Sequence, residues 1–329
     1  MSQTLIVRVP VATMWTAPSS ARKTDDKAIS YPGDIRRWLA DMTTEQRLQL
    51  HEDNLVQSQV LYGQEVQCIE TDGEWVHVYV PVQPTRKKEE GYPAWVPKAQ
   101  LVDASQTMSN VGSIECAETP VAIVKQPTAW LYAEGENEPV SPNIVNHSPT
   151  KIKHLEVSFQ TRLPLIAEEA DWVKVDTPHG ERWVQRQDVD TYAPGERPRV
   201  RSSDLVQLAQ MFLGLPYLWG GMSGFGFDCS GFMYTLHRAS GLNIPRDASD
   251  QANSGVPVPH EQLQPGDLLF FAYEEGKGRV HHVGMYVGEG RMIHAPKTGK
   301  SIEVIPLVGT IYEREHCASR RYIHHDVTS

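Results

Sequence analysis

The stretch Phe227-Asp228-Cys229-Ser230-Gly231-Phe232 places a cysteine where a glycine-rich loop meets a helix. Glycines recur over residues 220–226, and apolar residues follow the cysteine at helical spacing until Gly241. A helix N-terminus offers free N–H groups and a positive dipole end, which lower the pKa of a thiol and stabilise an oxyanion. Cys229 is therefore predicted to be a nucleophile, with a buried structural cysteine as the alternative.

Two histidines downstream favour the nucleophile. His282 opens a run with strand alternation, Gly288-Glu289-Gly290 forms a turn, and His294 lies on the return strand. A loop centred on Gly288 would set the two histidines nearly opposite each other on one face. A thiol, a base and an orienting residue would then be complete. Six further histidines are expected to be surface or packing residues: His281, which faces away from its neighbour His282, and His237, His260, His316, His324 and His325.

Short motifs follow one another in one order along the last part of the chain. They are Tyr217-Leu218-Trp219-Gly220-Gly221, Asp228-Cys229-Ser230-Gly231, Pro265-Gly266-Asp267-Leu268, His282-Val283-Gly284-Met285-Tyr286 and Ile293-His294-Ala295. Together they resemble the NlpC/P60 peptidases, a papain-like superfamily that cuts peptidoglycan stem peptides. The resemblance implies an α+β papain-like catalytic domain in which Cys229 is the nucleophile, His282 the general base and His294 the polar residue orienting it.

The same resemblance implies roles for residues around the cysteine. The hydroxyl of Tyr217 would contribute to the oxyanion site, and Asp228 and Ser230 would help to hold a D-glutamyl carboxylate. Trp219 is expected either as a wall of the pocket or as core packing.

Length and composition fit a multidomain protein. A chain of 329 residues exceeds one ordinary core and suggests two to three domains. The formal charge of −10, without a Lys/Arg-rich tract, argues against a nucleic-acid partner. No apolar run is long enough to cross a membrane, so we expect no membrane insertion. Neither an HExxH motif nor a clustered Cys/His set occurs, so we expect no metal and no cofactor.

The cysteines and the N-terminus bear on the compartment. Four cysteines are scattered without disulfide-framework spacing, which favours a reducing environment: Cys68, Cys116, Cys229 and Cys317. The first residues lack a basic region followed by an apolar stretch and a cleavage site. We expect a cytoplasmic protein, with an exported protein whose signal peptide was removed as the alternative. The oligomeric state stays open.

An internal repeat precedes the cysteine region. The segments Glu74-Trp75-Val76-His77-Val78 and Ala94-Trp95-Val96-Pro97 recur as Asp171-Trp172-Val173-Lys174-Val175 and Arg182-Trp183-Val184-Gln185. Each copy looks like a small all-β bacterial SH3-type barrel. Two short helices, capped at Asp34 and at Thr43, are predicted as an insertion in the first barrel. The expected domains are 1–106, 107–192 and 193–329.

This architecture resembles the YkfC-like γ-D-glutamyl-L-diamino acid endopeptidases of muropeptide recycling. The resemblance implies that the first barrel closes the cleft on the amino-terminal side, so that substrates need a free L-Ala amine. Asp247 matches the carboxylate that pairs with this amine, although it would equally cap the following helix. Tyr92 matches a tyrosine supplied by the first barrel. An acidic residue expected after Tyr-Gly is Gln64 here, and Glu65 follows it as the candidate.

The expected reaction is cysteine-dependent hydrolysis of the bond between γ-D-Glu and the L-diamino acid. Its substrates would be peptidoglycan-derived tri- or tetrapeptides, and its product L-Ala-γ-D-Glu. Alternatives are an exported endopeptidase acting on intact peptidoglycan, a thiol acyltransferase and a noncatalytic binding protein built on SH3-type modules.

Overall fold

A computed structural model describes residues 3–107, 118–135, 150–196, 198 and 201–323. Within these ranges the chain forms three units, here called the first (3–107), second (118–192) and third (201–323) units. Cys116, His324 and His325 lie outside the described residues. The expected boundary after residue 106 falls inside a short helix, Ala104–Thr107, whereas the boundary after residue 192 coincides with a strand end.

The first unit is a seven-stranded antiparallel sheet with inserted helices. Its strands run in the order β3-β2-β6-β5-β4-β1-β7 and are β1 Thr4–Val7, β2 Val11–Trp15, β3 Val56–Leu61, β4 Glu65–Asp72, β5 Trp75–Val80, β6 Tyr92–Pro97 and β7 Leu101–Asp103. Its helices are α1 Asp26–Ile29, α2 Ile35–Asp41, α3 Thr44–Glu52 and α4 Ala104–Thr107. Buried valines alternate with half-exposed residues along β5, which is the pattern of a sheet with one face in the core.

The predicted helical insertion is confirmed. The Asp34 side chain accepts a hydrogen bond from the backbone of Arg37 and caps α2. Thr43 and Gln46 form a reciprocal capping box at the start of α3, with distances of 3.2 and 2.9 Å. Both helices lie between β2 and β3, so the insertion leaves the strand order of the sheet intact.

The second unit repeats the first. Its strands are β8 Val121–Val124, β9 Thr128–Glu134, β10 Lys151–Ser158, β11 Arg162–Glu168, β12 Trp172–Val175, β13 Arg182–Gln185 and β14 Val189–Tyr192. Their order, β10-β9-β13-β12-β11-β8-β14, equals that of the first sheet when each strand is renumbered from the unit's start. The Trp-Val repeat of the sequence is therefore a repeat of topology.

The third unit combines helices with an antiparallel sheet. The six-stranded sheet has the order β17-β22-β18-β19-β20-β21, formed by β17 Val256–Pro257, β18 Leu268–Ala272, β19 Val280–Gly288, β20 Arg291–His294, β21 Glu303–Pro306 and β22 His316–Arg321. A small hairpin comprises β15 Met222–Ser223 and β16 Gly226–Phe227. The helices are α5 Ser202–Gln210, α6 Cys229–Ala239, α7 Ala248–Gln251, α8 Tyr273–Gly276 and α9 Ile311–Glu315.

Helix α6 is the centre of the third unit's core. All of its residues are buried, and Phe232 and Leu236 share one apolar cluster with Phe270, Val283 and Met285 of the sheet. Burying side chains of this size contributes about 1.5–3 kcal/mol each, so the helix is held firmly against the sheet. The N-terminus of α6, where Cys229 lies, is thereby fixed relative to β19.

The first unit packs on the third beside this N-terminus. The indole nitrogen of Trp219 donates to the carbonyl of Val56 at 2.9 Å. The backbone N–H of Met222 donates to the Gln59 side chain at 3.0 Å. These bonds join β3 to the loop that precedes Cys229, and the space between the two units becomes a cleft.

Candidate active site

Cys229 is the first residue of α6, as predicted, and lies 8 % exposed at the cleft floor. Asp228 caps the helix by accepting a 2.6 Å hydrogen bond from the backbone of Gly231. A Cβ at Gly231 would overlap the carbonyl oxygen of Gly221, so glycine there lets the preceding loop pack against the helix start. The loop-to-helix junction thus presents the thiol to the cleft.

The expected lowering of the thiol pKa is not found. Burial, followed by the negative charge of Asp228, raises the pKa of Cys229 to about 12. N–H groups of Val283 and Ser230 oppose this shift without reversing it. Burial, reinforced by the neighbouring histidines, lowers the pKa of His282 well below its usual value. The resting pair at neutral pH is therefore an uncharged thiol and an uncharged imidazole.

His282 and His294 are brought together by the β19–β20 hairpin. His282 Nε2 and His294 Nδ1 lie 2.8 Å apart. The prediction that they stand nearly opposite is wrong, because the register places His294 across from Gly284 and His282 diagonal to it. The turn is displaced by a bulge between Tyr286 and Gly288. A Cβ at Gly284 would lie 3.2 Å from the Cβ of His294, so the glycine makes room for this diagonal contact.

His281 was expected on the opposite face without a partner, and the structure corrects this. Phe271 pairs with His282 and Ala272 with Val280, so His281 is the extra residue of a β-bulge. The bulge turns His281 into the cleft, where its ring stacks at 4.1 Å on Tyr273. Alternation of neighbouring strand residues fails at this point because the strand is irregular.

The partner of His281 is Glu315 of α9. His281 Nε2 lies 3.1 Å from Glu315 Oε2. The same helix supplies Tyr312, whose ring lies 5.2 Å from those of both His282 and His294. Burial, then the nearby Cys229, raises the pKa of Tyr312 to about 12. No motif in the sequence marked Tyr312, since only the fold brings α9 over the histidine pair.

The remaining histidines follow the packing expectation in the part of the chain that is described. His237 is fully buried on α6 and its Nδ1 lies 2.8 Å from the carbonyl of Met233. His260 and His316 lie against each other, 5.8 Å between ring centroids, and His316 contacts the hydroxyl of Ser319 at 2.9 Å.

Tyr217 and Trp219 both line the cleft near Cys229. Burial, then the proximity of Cys229, raises the pKa of Tyr217 well above its usual value, so its hydroxyl stays protonated. Trp219 is at once a cleft wall and a packing residue, because its ring contacts His51 of α3 at 4.0 Å and belongs to the apolar contacts between units. The two expectations for Trp219 therefore coexist.

Arg246 is the most important site residue that sequence reasoning left without a role. It is 1 % exposed and pairs with the Asp228 carboxylate at 2.6 Å. It also donates to the hydroxyls of Ser230, at 3.0 Å, and of Ser58 in the first unit, at 3.0 Å. The Asp228 carboxylate is thus occupied by Arg246 and by the helix cap. Its position in Pro245-Arg246-Asp247 was the available signal.

Asp247 and Tyr92 meet at the first-unit end of the cleft. The Tyr92 hydroxyl lies 3.1 and 3.2 Å from the two carboxylate oxygens of Asp247. Asp247 is the N-cap residue of α7, but its side chain makes no capping hydrogen bond. The carboxylate consequently faces the cleft, where Lys87 Nζ lies 3.1 Å from it.

Glu65 is not brought to this site. It lies on β4, paired in register with Ile6 of β1, and is absent from the described residues that line the cleft. The Gln64 side chain is also turned away, since it accepts a hydrogen bond from the backbone of Leu61. Gln57, another first-unit residue that lines the cleft, holds Lys87 beside Asp247, since its side-chain oxygen accepts a 3.0 Å bond from Lys87.

The whole cleft has a volume of about 660 Å³. It is lined by the first unit, by α8 and α9, by the segment before β19 and by the loop after β20; the last four contribute Tyr273, Arg279, Pro296, Lys297, Thr298, Ile311, Tyr312 and Glu315. Over the described ranges, no cluster of His, Cys, Asp or Glu has the arrangement of a metal site. No helix in those ranges is both long and apolar enough to span a membrane.

Comparisons with known proteins identify relatives that cover nearly the whole chain. Residues 214–321 match the NlpC/P60 family, and residues 144–192 match the YKFC SH3b2 domain. The chain is 48 % identical to the γ-D-glutamyl-L-lysine dipeptidyl-peptidase of Bacillus subtilis, over 94 % of this chain and 96 % of the relative. It is 42 % identical to the Bacillus cereus protein of the same name, over 96 % and 90 % of the two chains.

A solved structure extends the likeness to the fold. The crystal structure of an NlpC/P60 family protein from Bacillus cereus matches with a TM-score of 0.86 at 41 % identity, covering 97 % of this chain and 99 % of the other. The expected fold class is confirmed: an α+β NlpC/P60 unit follows two SH3-type β units.

Proposed function

Since the chain belongs to the NlpC/P60 family of cysteine peptidases, we propose that it cleaves peptidoglycan stem peptides between γ-D-Glu and the L-diamino acid. Tri- and tetrapeptides with a free L-Ala amine are the proposed substrates, and L-Ala-γ-D-Glu is the product. The observation that carries this proposal is the first-unit end of the cleft, where Asp247 and Tyr92 stand together beside the nucleophile's loop. The two Bacillus relatives bear the name γ-D-glutamyl-L-lysine dipeptidyl-peptidase.

The proposed reaction begins with proton transfer from Cys229 to His282. We assign the tautomers in which His282 Nε2–H donates to His294 Nδ1, 2.8 Å away, which leaves His282 Nδ1 to receive the thiol proton. The thiolate attacks the γ-carbonyl carbon, and the oxyanion is held by the Cys229 N–H and the protonated hydroxyl of Tyr217. His282 returns the proton to the departing amine. Water then hydrolyses the thioester and releases the dipeptide.

His294 acts here as a positioning residue. With its Nδ1 accepting from His282, its proton lies on Nε2, which has no hydrogen-bond partner among the described residues and stands 3.8 Å from the Glu303 carboxylate. Burial lowers the pKa of His294 to about 4, so it stays neutral and does not compete for the thiol proton. Tyr312 closes the other side of the pair.

The D-glutamyl carboxylate is assigned to Ser230 and Arg246. Asp228 repels an anion, and its own carboxylate is taken up by the 2.6 Å pair with Arg246. Asp228, which was expected to help hold this carboxylate, does so indirectly in this assignment, by orienting the guanidinium. The Ser230 hydroxyl lies between these groups and accepts from Arg246.

The free amine is assigned to Asp247 and Tyr92. An ammonium there gains a carboxylate and a phenolic oxygen, whereas an acylated nitrogen gains neither charge nor space. Asp247 is 28 % exposed, so solvent reduces the cost of leaving it unpaired below that of a fully buried charge. Acetylating L-Ala is therefore expected to lower kcat/KM by roughly tenfold to hundredfold.

The test is kcat/KM for L-Ala-γ-D-Glu-L-Lys, its diaminopimelate counterpart and their N-acetylated forms. Asp247→Asn should lower kcat/KM for the free-amine peptides and reduce the ratio of this value to that for the N-acetylated peptides. Cys229→Ala should abolish all hydrolysis while the circular dichroism spectrum stays unchanged. Equal turnover of free and acetylated peptides, or release of peptides from intact sacculi, would favour an exported endopeptidase instead. Mass spectrometry of the products distinguishes hydrolysis from acyl transfer.

A cytoplasmic location is part of the proposal. A free L-Ala amine arises only after the stem has been released from the glycan strand, so the substrate is a soluble fragment. Fractionation of the producing cells, with the protein detected by antibody, tests this assignment.

A further inference from the structure

Lys87 places an ammonium group of the chain itself at the proposed amine subsite. Its Nζ lies 3.1 Å from Asp247, donates to the Tyr92 hydroxyl, and donates to Gln57 Oε1 at 3.0 Å. The same nitrogen lies 4.2 Å from the centroid of the Tyr92 ring. Asp247 and Tyr92 are also the proposed partners of the substrate ammonium.

The loop between β5 and β6 delivers this lysine. Arg86 anchors the loop to the third unit through a 2.7 Å ion pair with Asp250 and a 2.8 Å bond from its backbone N–H to the same carboxylate. The carbonyl of Pro84 accepts from the backbone of Arg246 at 2.9 Å. With both contacts formed, residue 87 follows directly at the mouth of the cleft.

The neighbouring lysine has a different position. Lys88 pairs with Glu90 at 3.0 Å and lies 5.3 Å from the ring centroid of Tyr79, outside the described cleft lining. The two lysines therefore share a loop, a charge and a side-chain length, and differ in whether they enter the subsite.

Charge balance determines what Lys87 does when substrate arrives. Asp247 brings one negative charge, and Gln57, which holds Lys87, brings none. Arg246 Nη1 lies 4.0 Å from Asp247, but this guanidinium is paired with Asp228 at 2.6 Å. Two ammonium groups around the Asp247 carboxylate therefore repel each other. The Lys87 side chain is 43 % exposed, so it has a path to solvent.

Resting on the proposed function, we propose that Lys87 is a displaceable internal cation that occupies the amine subsite and competes with the substrate ammonium. It weakens binding of free-amine peptides. Lys87 also keeps Asp247 paired when an acylated peptide binds. It thereby reduces the difference in affinity between free-amine and acylated peptides. Removing its charge should therefore widen that difference.

The expected effect follows from the worth of a partly exposed ion pair. Such a pair contributes at most about 1 kcal/mol, which corresponds to a gain of up to roughly fivefold in affinity when the competitor is removed. Lys87→Met keeps an unbranched side chain of nearly the same length and removes the charge together with the N–H donors to Tyr92 and Gln57. Lys87→Arg keeps the charge, and Lys88→Met is the matched control.

Binding is measured by calorimetry in the Cys229→Ala background, with L-Ala-γ-D-Glu and its N-acetylated form as probes. Lys87→Met should bind the free-amine dipeptide roughly twofold to fivefold more tightly, and the acetylated one no more tightly than the parent. Lys87→Arg and Lys88→Met should resemble the parent. Unchanged or weaker free-amine binding in Lys87→Met would overturn the competition and make Lys87 a support for Asp247. A similar gain in Lys88→Met would reduce it to a general charge effect.

A second measurement follows the lysine itself. Limited acetylation with acetic anhydride, kept well below the dipeptide concentration so that most of the dipeptide retains its free amine, reports the reactivity of Lys87 relative to Lys88 by peptide mass spectrometry. Adding the free-amine dipeptide should raise that ratio, and the acetylated dipeptide should leave it unchanged. If calorimetry shows that the free-amine dipeptide binds but the Lys87-to-Lys88 acetylation ratio stays constant, displacement of Lys87 is refuted and the proposed amine recognition is not. Failure of every variant to bind the dipeptide refutes the proposed amine recognition, and the role of Lys87 falls with it.

Discussion

The ion pair between Arg246 and Asp228 is predicted to be a main determinant of stability at the nucleophile's helix. The two side chains are 2 % and 8 % exposed, and their closest atoms are 2.6 Å apart. Arg246→Met fills similar volume but leaves a buried carboxylate without its partner. Breaking a buried pair from one side costs about 3–5 kcal/mol, and the loss of the hydrogen bond to Ser58 adds to it.

Native-state hydrogen exchange of the α6 amides measures the loss of stability at this helix itself. The measurement does not require the three units to unfold in one cooperative transition. Exchange should accelerate by roughly two to three orders of magnitude in Arg246→Met. Asp228→Asn keeps the helix cap, because an amide oxygen still accepts a hydrogen bond from the Gly231 backbone. It leaves the Arg246 guanidinium without its carboxylate partner. The double variant should therefore be less destabilised than the sum of the two single variants by on the order of 3 kcal/mol. Additive effects, or a cost under about 1 kcal/mol for Arg246→Met, would mean that the pair is solvated in solution.

Further predictions concern the histidines and the hairpin. His282→Ala should lower kcat/KM by about a thousandfold or more. His281→Ala should lower it only severalfold, because the His281 side chain bonds Glu315. Equal losses in the two variants would show that the bulge assignment is wrong. Gly284→Ala should lower kcat about tenfold or more at nearly constant KM, because the added Cβ displaces His294. Steady-state kinetics of this variant check the prediction. Burial lowers the pKa of His237 from 6.5 to about 4. As the pH falls through this range, the unfolded chain binds a proton at His237 that the folded chain does not bind. Lower pH therefore favours unfolding and removes up to about 3 kcal/mol of stability. His237→Phe should flatten that pH dependence of the unfolding free energy, and an unchanged slope would contradict the assignment.

Local features of the site were predictable because they depend on neighbours in sequence. The start of α6 at Cys229 and the capping box of Thr43 and Gln46 are examples. Each depends on side chains and backbone groups within one helical turn. The repeat of Trp-Val segments was equally visible, since each copy imposes the same alternation on a strand.

Features that depend on register or on contact between units were not predictable. The bulge at His281 and the diagonal placement of His294 arise from strand irregularities that no residue type announces. Arg246 is a buried cation whose partners come from two units, and Lys87 reaches its site through a loop anchored elsewhere. Glu65 was chosen by its distance from a motif, and the strand direction of β4 takes it away from the cleft.

The second unit also bears on the site, although none of its described residues lines the cleft. Phe159 of this unit is buried in the core of the third unit, with its ring 5.2 Å from that of Phe212. The turn between β15 and β16 lies against it: the Gly224 N–H donates to the buried hydroxyl of Ser158 at 2.8 Å, and a Cβ at Gly224 would overlap the Pro127 carbonyl oxygen. Because β16 ends directly before Asp228, this contact holds the segment that enters the nucleophile's helix. The second unit therefore supports the cleft from behind, while the first unit forms one of its walls.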